Sequence, residues 1–242
     1  MEEGWRWLGS EDASRVLTHW GNPVIQPPLG MVFPAENTAT NGWGVLVRFE
    51  EDGYVEDDEA DEIDYDALLA EMQANTLQES DDRVAAGYDS VALVGWADAP
   101  HYDADTHKLH WAKDLQFGGE DTRTLNYDMR ALGRRGVLSM NAVAGMEDLE
   151  AVRSGMAGLV DRVEFQEGHR YEDFDPGMDR IAAYGIGALI AGKLSAKTGL
   201  LKVLFGLLVA GKKFTVFAFV AVLAFGQRIF RSLFGQSSPV ED

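Results

Sequence analysis

The chain contains no cysteine, which removes disulfides, thiol nucleophiles and thiolate zinc sites from consideration and leaves the redox compartment open. It lacks the short catalytic and phosphate-binding signatures as well: there is no G-x-S-x-G, no Walker A, no H-E-x-x-H, and no G-x-G-x-x-G following a strand. Gly185-Ile186-Gly187 lies inside an apolar run, where such a pair serves close packing. The opening MEEGWRWLGSEDAS has neither a basic start nor an apolar stretch before a small-residue cleavage site, so no export signal is read there. Positive charge is scarce, with 21 Lys and Arg against 40 Asp and Glu over 242 residues, a formal net charge of -19.

That charge is unevenly placed. Residues 180–242 hold 8 basic and 2 acidic side chains, leaving 13 against 38 before them, so the body carries -25 and the tail +6. An acidic body repels a phosphate backbone, and nucleic acid is not expected as a partner. A basic, apolar tail points to an anionic bilayer surface.

The tail changes composition abruptly at Ile181, and Gly, Ala, Leu, Val and Phe then dominate. A bilayer span takes about 20 largely apolar residues. Placing it over 214–233 keeps FTVFAFVAVLAFG in hydrocarbon while Lys212, Lys213, Arg228 and Arg231 reach outward at its ends. The layout expected is an acidic domain over 1–179, an amphipathic or interfacial helix over 180–199 opened by Asp179 as N-cap, a membrane helix region over 200–235 and a polar tail over 236–242. Small residues in 181–192 (Ala182, Ala183, Gly185, Gly187, Ala188, Ala191 and Gly192) would let another membrane protein, or a second copy, approach closely. A buried helical hairpin in a soluble oligomer is the alternative for the tail.

In the body, Ser10 is placed to cap a helix carrying Val16, Leu17 and Trp20 on one face. PPLGMVFP reads as an extended loop, and WGVLVRFE as a strand with Trp43, Val45, Val47 and Phe49 on one side. The run from 50 to 66 holds eleven carboxylates but fails the EF-hand template, since its sixth position from Asp57 is Glu62 and its twelfth Leu68; it reads as a solvated acidic loop. Asp64 then caps a helix burying Tyr65, Leu68, Leu69 and Met72. Past the hairpins, a helix after Gly145 aligns Leu149, Val152, Met156, Leu159 and Val163.

Two hairpins lie between these helices. In the first, Val91, Leu93, Ala97 and Ala99 must share a face with Leu109, Trp111, Leu115 and Phe117, so paired numbers must sum to an even value. A three-residue loop, Asp103-Ala104-Asp105, satisfies this, pairs Tyr102 with Thr106, sets His101 opposite His107 and turns His110 away. His101 and His107 with Asp103 or Asp105 form the only local candidate metal set, for zinc; two imidazoles closing a hairpin face is the plainer expectation. In the second, Leu125, Tyr127, Met129 and Ala131 face Leu138, Met140, Ala142 and Ala144, of opposite parity. A two- or four-residue loop around GRRG is required, with Asp128 opposite Asn141 and Arg130 opposite Ser139. Consecutive hairpins between helices predict an α+β fold: an antiparallel sheet with helices on one face, plus a C-terminal helical membrane segment.

WGNP (20 to 23), PPLGMVFP (27 to 34), DGYV with DD (52 to 58), IDYDALL (63 to 69), VGWADAPHYD (94 to 103), THKLHWAKDL (106 to 115), LNYDMRALGRRGVL (125 to 138) and AAYGIGALIAG (182 to 192) together resemble the bacterial uncharacterised membrane-anchored family, domain of unknown function 2167. The resemblance covers nearly the whole chain. It implies an export signal, an extracytoplasmic domain and a C-terminal membrane segment, and it assigns no activity, cofactor or site residue. Against that pattern, neither the export signal nor the first part of the domain is expected in the sequence as it stands. Sidedness is contested, because lysines crowd the N-terminal side of the span and the positive-inside rule alone would place the acidic body in the cytoplasm. The expectation is a non-enzymatic, membrane-anchored binding or assembly module of the envelope; the alternative is a metal-binding protein or metal-dependent enzyme using His101 and His107.

Overall fold

Alternation of apolar residues along the body becomes one antiparallel sheet in a computed structural model of the chain, which describes residues 4–20, 24, 26–40, 42–118 and 123–192. In chain order the elements are β1 (Trp5–Gly9), α1 (Ser10–His19), β2 (Gly30–Pro34), β3 (Gly44–Glu50), α2 (Tyr65–Ala85), β4 (Val91–Asp103), β5 (Lys108–Phe117), β6 (Arg123–Gly133), β7 (Gly136–Gly145), α3 (Leu149–Val160) and α4 (Ile186–Ala191). The seven strands run β1-β2-β3-β7-β6-β5-β4 across the sheet. After β3, α2 carries the chain to the far edge, and the meander β4 to β7 returns to pair with β3.

The fold is α+β as the patterning predicts, but helices cover both faces. On one face, α3 lays Val152 and Met156 over Val45, Leu125, Tyr127, Met129, Met140 and Ala142. On the other, α2 and α4 bury Met72, Ile186, Leu189 and Ile190 against Leu109, Trp111, Leu132 and Val137. Farther along that face, Ala13 and Leu17 of α1 pack on Met31, Phe33 and Leu46. The reason is in the strands: β5 buries Leu109 and Trp111 on one side and Ala112 on the other, so neither side can face water.

Between these last two clusters runs a polar seam. Register places Leu46, Asn141, Asp128 and Trp111 in one row across four strands. Asp128, 3% exposed, accepts from Asn141 Nδ2 at 3.0 Å and lies 3.1 Å from Arg130 Nη1 and 3.4 Å from Lys113 Nζ. The buried charge is thus met by two cations and an amide, as a desolvated carboxylate requires.

Local expectations fare unevenly. Asp64 caps α2 by accepting from the backbone of Asp66 and Ala67. PPLGMVFP is not a loop: Gly30–Pro34 is an interior strand with Met31, Val32 and Phe33 buried. Its glycine is demanded by packing, since a Cβ at Gly30 would meet the Trp7 ring at 2.2 Å and Leu8 O at 2.4 Å. The acidic run is tethered as well as solvated: Val55 is buried, Tyr54 forms a parallel bridge with Ile181, and Tyr184 donates to Asp52 at 2.5 Å.

The helix expected from Arg180 begins only at Ile186. Asp179 does not cap it, because its carboxylate is taken by Arg134 and Arg135, and residue 181 is held extended by the bridge to Tyr54. Ile186, Leu189 and Ile190 point into the domain core. The described residues lie in one compact unit that ends at Lys193. Among them no helix is long and apolar enough to cross a membrane, and the span expected over 214–233 lies outside them.

Candidate ligand-binding groove

The first hairpin keeps the expected parity far from its turn, where Val91 pairs with Phe117 and Leu93 with Leu115. Three register irregularities then displace β4 along β5, so that His101 faces His110, Tyr102 faces Leu109 and Asp103 faces Lys108. The loop has four residues, 104 to 107, in place of three. His101 therefore does not meet His107, and Tyr102 does not pair with Thr106: bulges shift parity that an unbroken ladder would preserve.

The four residues proposed as a metal set are dispersed by this register. The His101 and His110 rings lie 5.2 Å apart beside the Asp98–Arg153 ion pair. Burial, then the neighbouring His101, lowers the His110 pKa below its ordinary value, while Asp98 acts in the opposite sense. Burial and the charge of Asp98 push Tyr127, whose ring stacks with His110, up to about 12. Asp103 closes the turn, accepting from the backbone of Asp105 and Thr106 and from the Thr106 hydroxyl. Asp105 is exposed. Among the described residues no group of three or more His, Asp or Glu side chains is arranged to hold a metal ion.

His107 has a different setting. Its φ of 51° is left-handed, unusual for a residue with a side chain. Its ring stacks on Tyr171 at 4.0 Å, and Tyr171 in turn donates to Val55 O. The Tyr102 hydroxyl donates to Asp57 Oδ2 at 2.6 Å and lies 3.1 Å from His107 Nδ1. Although burial opposes it, the hydrogen bond from Tyr102 and the nearby His107 hold the Asp57 carboxyl below its usual range. A phenol has one hydrogen, and here the carboxylate takes it, so the Tyr102 oxygen must accept from Nδ1. With Nδ1–H engaged in this way, the His107 ring lines a pocket of about 330 Å³ with Lys108, Arg170 and Glu172.

Glu164 and Phe165 also border a larger cavity, of about 700 Å³, at the same end of the sheet. Arg134 and Arg135, the two-residue turn between Gly133 and Gly136, form one wall, and both Nε groups reach Asp179, at 2.6 and 2.9 Å. These guanidiniums, with the Asp175 amide, hold the Asp179 carboxyl well below the usual range despite the cost of burial. Arg180 donates to Glu51 O at 2.9 Å, and Phe49 meets Phe165 edge-on at 6.3 Å. The turn glycines permit this wall: a Cβ on Gly133 would stand 2.8 Å from the Phe165 ring, and one on Gly136 would stand 2.2 Å from Glu50 O.

From local pattern alone, Arg134 and Arg135 read only as a turn, Asp179 as a helix cap and Asp57 as part of a solvated run. The GRRG pattern marked the turn correctly, but nothing local ties it to an aspartate more than forty residues downstream.

A family model described as "Protein of unknown function (DUF2167)" matches residues 1–225. The chain belongs to this family. Membership agrees with the motif resemblance in the sequence and assigns no activity. No curated protein matches the chain. The solution structure of cyanobacterial PsbP (CyanoP) from Synechocystis sp. PCC 6803 is similar at 10% identity over 67% of this chain and 80% of that one, with a TM-score of 0.37, a likeness that carries no functional inference.

Proposed function

We propose that this DUF2167 chain is a membrane-tethered binding or assembly module of the bacterial envelope, working through the groove at the turn end of its sheet. The observation that carries the reading is the cavity of about 700 Å³, of the size ligand sites have, walled by arginines fixed on a buried aspartate. Its parts are positioned before any ligand arrives, which lowers the ordering cost of binding. The apolar, lysine-bearing sequence after residue 193 supports the tether, and the family resemblance supports a body outside the cytoplasm.

A photo-crosslinking residue at Met178, which lines the groove and is 73% exposed, tests this in native membranes. The reading expects the full chain in the membrane fraction and a discrete crosslinked species. Full-length protein that stays monodisperse in plain buffer, never pellets with vesicles and captures nothing would refute it. Stoichiometric zinc in purified protein, lost on His101→Ala or His107→Ala without unfolding, would replace it with the metal-dependent reading.

A further inference from the structure

The groove's chemistry is more specific than its shape. Arg135 spends Nε on Asp179 and, among the described residues, keeps both Nη groups without a partner, with 59% of its side chain exposed. Arg180 spends one Nη group on Glu51 O. Asp179, its side chain 1% exposed, already accepts from two guanidiniums and the Asp175 amide, so its charge is largely committed to holding the wall in place. Two further carboxylates border the cavity, Glu51 and Glu164; both are exposed, and among the described residues neither side chain is fixed by a hydrogen bond or ion pair. They can turn to solvent while the guanidiniums stay in place. His169 is the other titratable neighbour. Beside the cations lie apolar surfaces that face solvent, Met178 at 73% and Phe49 at 37% exposure, with Phe165 behind Phe49.

We infer that this cavity binds an amphiphilic anion: a phosphate or carboxylate on Arg135 and Arg180, carried on an aromatic or alkyl stem against Phe49, Phe165 and Met178. A planar guanidinium with paired free N–H groups suits such oxyanions in a two-pronged contact. The stem separates this site from a generic basic patch, because inorganic phosphate would leave the phenyl and thioether surfaces wet. The inference rests on reading the groove as a binding site. A free metabolite-like anion and a lipid headgroup share this chemistry.

Calorimetric titration of the detergent-solubilised full chain tests it with three probes: phenyl phosphate, inorganic phosphate and benzyl alcohol. Phenyl phosphate should bind one to one, roughly tenfold more tightly than inorganic phosphate, and benzyl alcohol should not bind. Arg135→Gln should weaken phenyl phosphate by roughly 10- to 100-fold, the worth of a charged hydrogen-bonding contact. Met178→Ala, at an exposed position, should weaken phenyl phosphate severalfold and leave inorganic phosphate unchanged, and it carries the test should Arg135→Gln fail to fold. Binding confined to phosphatidylglycerol vesicles, absent from phosphatidylcholine vesicles and sensitive to either variant, identifies the lipid headgroup as the source. No saturable binding to any probe or vesicle, or binding indifferent to both variants, overturns the inference. A protein captured at Met178 and undisplaced by phenyl phosphate would overturn the ligand class while leaving the binding module standing; anion binding without any capture would keep the ligand class and remove the assembly partner.

Discussion

The two hairpins of the meander differ more than their sequences show. The β6–β7 pair is an unbroken ladder from Thr124 opposite Gly145 to Gly133 opposite Gly136, with a two-residue turn. The β4–β5 pair has three register irregularities and a four-residue loop with a left-handed histidine. Position in the sheet accounts for the contrast. β6 and β7 each have strands on both sides, so a bulge in either would break two ladders, whereas β4 is an edge strand and can buckle alone. Parity is therefore a strict rule in the middle of a sheet and a loose one at its margin.

The sharpest way to break this comparison is at the seam. Asp128→Ala in β6 leaves Lys113 and Arg130 facing a buried void, and it should cost about 3–5 kcal/mol in urea unfolding. A loss under about 1 kcal/mol would mean that the seam is wetter than its burial implies. Next comes a matched pair of glycines. Gly136→Ala drives a Cβ against Glu50 O at 2.2 Å and should cost about 1–3 kcal/mol, whereas Gly95→Ala in β4 meets nothing within 4 Å and should stay within about 0.5 kcal/mol. Equal losses at the two sites would erase the distinction between centre and edge.

His107→Gly relieves a left-handed conformation costing about 1–2 kcal/mol. It forfeits a ring stack worth about 0.5–1.5 kcal/mol and gains the extra backbone freedom of glycine. The net change should be below about 1 kcal/mol, and a larger loss in the same unfolding assay would show that the Tyr102–Asp57 relay holds the loop.

The smallest effect is one of pH. The folded His110 pKa lies below its unfolded value of about 6.5, so between the two the unfolded chain binds the extra proton. Stability is thus full above that unfolded value, falls as pH drops through it, and levels once folded His110 also protonates. Amide protection factors should fall first in β4–β5 and later in β6–β7, and His110→Gln should abolish the difference.

What could be read from the sequence follows the same division. The β6–β7 register, with Asp128 opposite Asn141 and Arg130 opposite Ser139, came from parity and two glycines. The α2 cap and the α3 face came from local pattern, because each depends on residues within one or two turns. β2 was hidden by the prolines and glycine around it, which are tolerated because Gly30 must lie under Trp7 and Pro34 ends the strand. The groove was not legible: Asp57 with Tyr102, and Asp179 with Arg134, are each 45 residues apart and meet only after the sheet has assembled. A carboxylate in an acidic run looks alike whether it faces water or a tyrosine.

The bridge between Tyr54 and Ile181 has a mechanical consequence. Tyr54 N donates to Arg180 O at 2.8 Å and Ala182 N to Tyr54 O at 2.7 Å, directly beside the clasp of Asp179 on Arg134 and Arg135. A pull applied at Gly192 would first peel α4 from Leu109, Trp111, Leu132 and Val137 and then load these two bonds. Because those bonds adjoin Asp179, Arg134 and Arg135, load passing α4 would fall next on the groove wall, ahead of the β6–β7 ladder.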